Sequence, residues 1–303
     1  MNLAQRLWTY QAERFPLAKT VPLLACFSAA SITLSAVLSG RPLPGPSAYV
    51  IGFFLVFILF FQLRVADEVK DGEDDAQYHP ERPIPRGVVT LRLIVSLGIV
   101  TIPIGIILAL IHGAGIIWLL LLVWVWLTAM TFEFGFPAWL KARPVLYLLS
   151  HMAIMPLIDL LLTGIEWRPH GSAAPALWLF IAMSFSNGCV LELGRKLWAP
   201  ENERVGVDTY SGLWGPKRAA AIWLIFVSIS AGLLLGVGIA TGFALAFALV
   251  TLVGLIICAF AARQYASNPT QKAEKQMDTV AGLWVFGCYA TAGFLPVALG
   301  GLA

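Results

Sequence analysis

Six acidic side chains lie within nine consecutive residues of this chain, directly after an uncharged apolar segment. The apolar segment is 49–63, and the acidic run, which reads DEVKDGEDD, is 67–75. Asp67, Asp71 and Asp75 are spaced four residues apart, so on a helix they share one face, with neighbouring Cβ atoms about 5–6 Å apart. Three carboxylates on one face repel each other unless a cation lies between them. The spacing therefore predicts a site for a hard divalent metal with oxygen ligands, which in turn binds phosphate.

Basic residues surround this acidic run, at Arg64, Lys70 and Arg82. A metal-bound diphosphate needs that mixture, because carboxylates bind Mg²⁺ while guanidinium and ammonium groups bind the remaining phosphate oxygens. The alternative is a solvated, charged loop beside a membrane. That alternative is less favoured because the acids lie where membrane proteins carry bases, and because their spacing is helical.

The composition is that of a protein embedded in a membrane. Of the 303 residues, 59% are hydrophobic and 12% are charged, and the mean hydropathy is +0.81, whereas a soluble domain has about 25% charged residues. A helix that spans a bilayer needs about 20 mostly apolar residues. We predict an all-α polytopic membrane protein with nine transmembrane helices around a central cavity. The predicted spans lie near 21–39, 49–66, 93–112, 114–132, 145–164, 175–194, 219–238, 241–262 and 279–301.

The basic residues predict the orientation of these helices, since cytoplasmic loops carry an excess of Lys and Arg. With nine spans, 18 of the 20 basic residues fall on one side, and only Arg41 and Arg168 fall on the other. This asymmetry predicts an integral membrane protein with its N-terminus and charged loops in the cytoplasm and its C-terminus outside. We expect the lipid bilayer as a partner and no nucleic acid.

Two long charged loops, 64–92 and 192–218, occupy matching places after the second and the sixth predicted spans. Four spans separate them, which is typical of an internal duplication of a four-helix unit that binds its ligand at the repeat interface. We predict a single domain over residues 1–303, with a degenerate four-helix repeat. Two charged loops on the same face can close over one cavity.

The first loop resembles the first signature of the UbiA superfamily of intramembrane prenyltransferases, which reads N-D/Q-x-x-D-x-x-x-D and is followed by R-P-L/I-P-x-G. Asp67 stands where the family usually has Asn, and Glu68, Asp71 and Asp75 match the other acidic positions. The segment 82–87, RPIPRG, matches the tail. Together with the number of spans, the resemblance covers essentially the whole chain.

The family's second signature, D-x-x-x-D after the sixth span, is altered in this chain. Glu192 matches the first acid, but the position four residues later is Lys196, which cannot bind Mg²⁺, and Pro200 then interrupts the register. In one interpretation Arg195 and Lys196 replace one metal and bind the diphosphate directly. In the other, the second site has decayed and no prenyl diphosphate is ionised. We favour the first, because so many charges are unusual in a dead site.

The resemblance implies a set of site residues. The catalytic acids would be Asp67, Asp71, Asp75 and Glu192, and with Glu68 they would bind Mg²⁺. The diphosphate would contact Arg64, Lys70, Arg82, Lys141, Arg143, Arg195 and Lys196, although a membrane anchor explains the pair Lys141 and Arg143 almost as well.

Three polar residues inside the predicted spans have weaker interpretations. Family members that prenylate hydroxybenzoate carry an aspartate on the sixth helix, whereas this chain has Asn187 as the nearest polar residue, which argues against a ubiquinone-type acceptor. Asp159 is either functional or a paired acid near the outer boundary. His151 is interpreted as a packing histidine.

Three functions follow from these observations. The preferred one is Mg²⁺-dependent ionisation of a polyprenyl diphosphate and transfer of the prenyl group to a lipophilic acceptor within the membrane. A UbiA-type terpene cyclase, which uses no acceptor, is the second. A transporter or lipid-binding protein without catalysis is the third, and it is disfavoured because the charges lie at helix ends, not along a transmembrane path.

Overall fold

The structure is a computed structural model that describes residues 1–204 and 206–300. These residues form fourteen α-helices and no β-strand. The long helices are α2 (Leu17–Leu38), α3 (Pro46–Lys70), α5 (Leu91–His112), α6 (Ala114–Thr131), α8 (Pro144–Met152) with α9 (Ile154–Trp167), α10 (Leu177–Gly194), α12 (Pro216–Ala240), α13 (Ala244–Ser267) and α14 (Gln271–Ala298). Short helices lie beside them, namely α1 (Leu3–Arg14), α4 (Gly72–Tyr78), α7 (Pro137–Lys141) and α11 (Tyr210–Trp214).

Among the described residues, nine helical segments are long and apolar enough to cross a membrane, as the sequence predicts. The all-helical fold is therefore confirmed, while the central cavity and the four-helix repeat stay predictions. The predicted end of the last span at residue 301 lies outside the described residues. The second span continues past its apolar segment to Lys70, so that the first acids lie on the end of α3.

The fifth span is divided into α8 and α9 at Ala153. Pro156 lies in the first turn of α9, and proline has no N–H to donate to the carbonyl of the residue four positions earlier, which is Met152. A helix break at this position is therefore expected.

The helices differ in how far they are covered by protein. In α10 the most apolar window is 67% buried, whereas the corresponding windows of α5 and α13 are each 22% buried. Since α5 and α13 are also the most apolar of the spans, their uncovered surface suits contact with lipid rather than water. The helix that carries Glu192 thus lies in the middle of the bundle.

Buried polar groups in this core are paired with each other. Asp159 on α9 is fully buried, and its carboxylate accepts hydrogen bonds from Ser31 Oγ at 2.6 Å and from the Tyr289 hydroxyl. The interaction joins α9 to α2 and α14, and buried polar groups that are paired in this way are compatible with an apolar surrounding. The structure supports the paired acid of the two interpretations of Asp159.

Gly293 on α14 allows that helix to lie close against α2. A Cβ added at Gly293 would lie 2.6 Å from the Cβ of Ala30 and 2.8 Å from the carbonyl oxygen of Ala30. Both contacts are closer than van der Waals distance, and one partner is backbone that cannot rotate away. We expect Gly293→Ala to destabilise the fold by about 1–3 kcal/mol, the usual cost of overpacking a core, seen as a lower apparent melting temperature in detergent.

Gly287 supplies the matched control, because it lies on the same helix and a Cβ added there would have no neighbouring atom within 4 Å. Gly287→Ala should be neutral or should stabilise by up to about 1 kcal/mol, since alanine has the higher helix propensity. Equal melting temperatures for the two variants would show that α14 and α2 do not approach as closely as described.

Candidate active site

The acidic run begins on α3 and continues onto α4, with a change of direction at Asp71. The backbone there has φ −95° and ψ 7°. The hydrogen bonds of Asp71 N–H to the Asp67 carbonyl at 2.9 Å and of Asp75 N–H to the Asp71 carbonyl at 2.7 Å continue the helical pattern across the junction. The run is therefore helical on both sides of Asp71, but it is not one regular helix.

The side chains of the run divide into two sets. Glu68 and Asp75 form the inner set, and both are buried. Arg14 Nε donates to Glu68 Oε1 at 2.7 Å, and its other nitrogen lies 3.6 Å from Asp75 Oδ2. Arg82 also binds Asp75. That Asp67, Asp71 and Asp75 share one face stays a prediction. Asp75 is buried beside Arg14 and Arg82, yet its charge, like that of Asp67, still raises the pKa of the Asp71 carboxyl.

Asp67 and Asp71 form the outer set, with 42% and 45% of their side chains exposed. Arg64 lies 3.5 Å from Asp67, and Lys70 Nζ lies 4.0 Å from Asp71. Although water reaches the tip of Asp71, the protein around it removes much of its hydration, and this burial raises the pKa of the Asp71 carboxyl against the lowering effect of Lys70. A cation that binds beside such a carboxyl stabilises its charged form and so offsets the cost of burial.

Glu192 occupies the last turn of α10, with 8% of its side chain exposed. Arg195 and Lys196 lie three and four residues later, on the same side of the chain. Lys196 Nζ is 3.1 Å from Glu192 Oε1, and Arg195 binds the other oxygen. Glu192 is thus neutralised by two cations of its own loop. Of the acids that follow, Glu201 accepts a hydrogen bond from Gln271 N–H at 3.2 Å, and Glu203 accepts one from the Thr209 hydroxyl at 2.7 Å.

The structure brings the two charged loops together at one end of the bundle. The Glu192 carboxylate raises the pKa of Arg195, and Asp67 of the first loop raises it further. Lys196 in turn acts on the charge of Asp71. A direct contact between the loops is the pair of Arg204 and Glu81, whose charged atoms lie 3.9 Å apart. The part of Arg195 and Lys196 in binding a diphosphate stays a prediction.

A cluster that the sequence did not predict lies beside Lys70. Tyr147 on α8 accepts a hydrogen bond from Lys70 Nζ at 2.8 Å and donates to Glu133 Oε1 at 3.1 Å. His151 stacks on Tyr147 with ring centroids 4.0 Å apart, and its Nε2 lies 3.4 Å from Glu133 Oε2. His151 does pack, as interpreted, but it packs beside the site. The available signal was a lone acid, Glu133, between aromatic residues at the end of an apolar span.

The backbone at this cluster is strained. Glu133 and Phe134 have φ of 49° and 54°, a left-handed conformation that costs a residue with a side chain about 1–3 kcal/mol. The conformation turns the buried Glu133 carboxylate inward toward Lys70, whose Nζ lies 3.9 Å away. As a result, Tyr147 and Glu133 together hold the Lys70 side chain in place.

Lys141 and Arg143 are less closely connected to the site. Lys141 Nζ lies 3.9 Å from the Asp74 carboxylate, and both side chains are more than half exposed. Arg143 stacks on Trp139 at 4.3 Å and donates to its carbonyl at 2.9 Å. Arg143 therefore does not reach the acidic run in this structure.

The donor set can share a magnesium ion with a substrate. Among residues 1–204 and 206–300, no group of three or more His, Cys, Asp or Glu side chains is placed to hold a metal by itself. Mg²⁺, however, is commonly bound through one or two carboxylates together with substrate phosphates and waters. Asp67 and Asp71 are the half-exposed carboxylates that could take this part, since Arg64 and Lys70 lie 3.5 and 4.0 Å from them. Glu68, Asp75 and Glu192 are instead buried in ion pairs.

Comparisons with known proteins agree with this architecture. The structure of digeranylgeranylglyceryl phosphate synthase superposes with a TM-score of 0.64 at 14% identity, over 98% of this chain and 99% of that one. The apo structure of a UbiA homolog from Aeropyrum pernix K1 gives 0.68 at 15% identity, over 86% of this chain and 94% of that one. At such identities these likenesses establish the fold alone. No curated protein sequence matches the chain.

The sequence model of the UbiA prenyltransferase family matches residues 27–288. The match contains both charged loops and extends from the first span into the last, and it agrees with the signature at residues 67–87. The chain belongs to the UbiA prenyltransferase family.

Proposed function

We propose that the protein ionises a polyprenyl diphosphate between its two charged loops and transfers the prenyl group to a lipophilic acceptor within the membrane. The observation that supports this most is that the charge of Asp67 acts on Arg195 and the charge of Lys196 acts on Asp71, since carboxylates and fixed cations are the two kinds of group that a metal-bound diphosphate requires. Membership in a family of prenyltransferases supports the same reaction class.

Each side chain has a distinct part in this proposal. Asp67 and Asp71 would hold Mg²⁺, which would supply Lewis-acid stabilisation of the negative charge that develops on the leaving diphosphate. Arg195 and Lys196 would bind the diphosphate oxygens from the opposite side. Lys70, held by Tyr147 at 2.8 Å, would add a third cation without needing to reorganise during the reaction.

The proposed reaction breaks a bond between carbon and oxygen. The C1–O bond of the prenyl diphosphate breaks, both electrons go to the diphosphate, and an allylic cation remains in the apolar interior. The nucleophilic atom of the acceptor then forms the new bond to C1 and loses its proton. In this proposal the apolar helices would keep out water, which would otherwise capture the cation.

A terpene cyclase is the second candidate, and one observation favours it. Asn187, in place of an acceptor-binding aspartate on α10, accepts a hydrogen bond from Ser230 of α12 at 2.7 Å. Its side-chain carbonyl is therefore engaged in joining α10 to α12. Without an acceptor, a double bond of the prenyl chain would attack the cation.

The loop charges also support an orientation. We place the charged loops and the N-terminus in the cytoplasm, because 18 of the 20 basic residues fall on that side and cytoplasmic loops carry the excess of Lys and Arg. A water-soluble prenyl diphosphate headgroup would then enter from the cytoplasm while its chain enters from the bilayer.

The experiment is product analysis with purified protein, Mg²⁺ and farnesyl or geranylgeranyl diphosphate, with and without a panel of lipophilic acceptors. We expect diphosphate release and a prenylated acceptor. Cyclic hydrocarbons formed without acceptor would show that the protein is a terpene cyclase and not a transferase. The absence of release with every substrate would contradict both enzymes.

A further inference from the structure

The short helix α1, which precedes the first span, reaches into the acidic run. Tyr10 and Arg14 lie on its inner side, one turn apart. The Tyr10 hydroxyl donates to Glu68 Oε1 at 3.4 Å, while Arg14 binds the same oxygen at 2.7 Å. Arg14 also lies 3.6 Å from Asp75. One cation from α1 therefore links the two inner acids of the run.

Loss of the Arg14 charge would leave buried carboxylates without their partner. Glu68 and Asp75 are 3% and 4% exposed, so neither carboxylate can turn to water if its cation is lost. Removing one partner of a buried ion pair leaves an uncompensated charge, which is far more disruptive than losing a pair on the surface. Arg82 binds only Asp75, and thus Arg14 is the guanidinium that holds Glu68.

Other contacts fix α1 in this position. Asn2 and Gln5 form a reciprocal capping box at its start, and Arg6 donates to the carbonyl of Val88. Tyr10 packs in a small apolar cluster with Val65 of α3 and Ile94 of α5. The helix is thereby anchored to both ends of the first charged loop.

We propose that Arg14 is a positioning residue of the site. By holding Glu68 and Asp75 inward, Arg14 fixes how the helical acidic run is oriented about its axis, so that Asp67 and Asp71 point outward to metal and diphosphate. The inference rests on the proposed function, because it assigns Arg14 a part in the same metal site. It makes α1, which lies outside both signatures, a component of that site.

The test compares Arg14→Gln, Arg14→Lys and Glu13→Gln in full-length protein. Mn²⁺ affinity is measured by electron paramagnetic resonance in the presence of inorganic diphosphate, on the monodisperse fraction only. Glu13 is the matched control, because it is adjacent to Arg14 and forms an exposed pair with Arg86 at 2.8 Å. Hydrogen exchange of residues 72–78 is followed in the same samples.

We expect Arg14→Gln to weaken Mn²⁺ binding about tenfold and to speed hydrogen exchange in 72–78, because the acidic run is no longer fixed. Arg14→Lys should recover part of the affinity, since it keeps the charge but lacks the planar fork that binds two carboxylates. Glu13→Gln should bind as the wild type does.

Three outcomes would count against the inference. Unchanged Mn²⁺ affinity in folded Arg14→Gln, with a lower yield of folded protein, would show that Arg14 is merely structural. An equal loss in Glu13→Gln would show that any disturbance of α1 suffices. Wild-type protein that binds no Mn²⁺ in the presence of diphosphate would contradict the metal site of the proposed function as well, which separates that failure from the first two.

Discussion

Asp71→Asn is expected to lower Mg²⁺-dependent release of diphosphate by about a hundredfold or more, because losing even an outer partner of a metal ligand costs about 10–100-fold. The substitution keeps the size of the side chain and removes its charge. It should act through the metal, so the Mg²⁺ concentration for half-maximal rate should rise while the protein remains folded. Release of diphosphate is measured over a Mg²⁺ titration.

Glu73→Gln is the control for this prediction. Glu73 lies two residues away in the same acidic run, and its side chain is exposed to solvent. Its neutralisation changes the overall charge of the run by the same amount, so a general electrostatic effect would appear in both variants. An Asp71→Asn protein as active as Glu73→Gln would mean that the metal assignment is wrong.

Lys196→Gln is expected to lower kcat/KM for the prenyl diphosphate by about 10–100-fold. A hydrogen bond to a charged group contributes about 1.5–3 kcal/mol, and each 1.36 kcal/mol is a factor of about ten in rate. The loss should appear mainly in KM if Lys196 binds the substrate, and in kcat if it stabilises the leaving diphosphate. Steady-state kinetics at saturating Mg²⁺ separate the two.

Lys196→Asp distinguishes the two interpretations of the second loop further. It creates an acid four residues after Glu192, as in the family signature, and replaces the positive charge that acts on Asp71 by a negative one. If Lys196 replaces a metal, the variant should need more Mg²⁺ and should lose activity at low Mg²⁺. Lys217, an exposed residue in the same loop, is the control, and Lys217→Gln should be unaffected. Lys196 variants with wild-type kinetics would contradict the assignment of Lys196 to the diphosphate.

The transmembrane helices could be predicted from sequence because their signal is local. Length, hydropathy and the distribution of basic residues act within each span or loop, so the nine segments follow without knowledge of tertiary contacts. The pairing of Glu192 with Arg195 and Lys196 is predictable for the same reason, since a spacing of three and four residues brings side chains together on one turn.

The partition of the acidic run could not be predicted in this way. Helical spacing relates Asp67, Asp71 and Asp75 to each other, but it does not reveal that Asp75 lies beside Arg14, a residue 61 positions earlier in the chain. Which acids are free depends on that distant cation and on the change of direction at Asp71. Neither leaves a local pattern in the sequence.

The cluster at Glu133 escaped prediction for a backbone reason. Left-handed conformations are usually occupied by glycine, and the sequence offers Gly135 for such a turn, yet Glu133 and Phe134 adopt them as well. In this conformation Glu133 lies within reach of Tyr147 and Lys70. Strained residues of this kind are frequent at functional sites, and here they support the side chain of Lys70.

The most direct measurement is a cryo-electron microscopy structure of the protein with Mg²⁺ and an unreactive prenyl thiolodiphosphate. We expect the diphosphate between Asp71 and Lys196, metal density against Asp67 and Asp71, and the prenyl chain running into the interior of the bundle. A diphosphate bound away from both charged loops, or bound without metal by the basic residues alone, would contradict the proposed ionisation site.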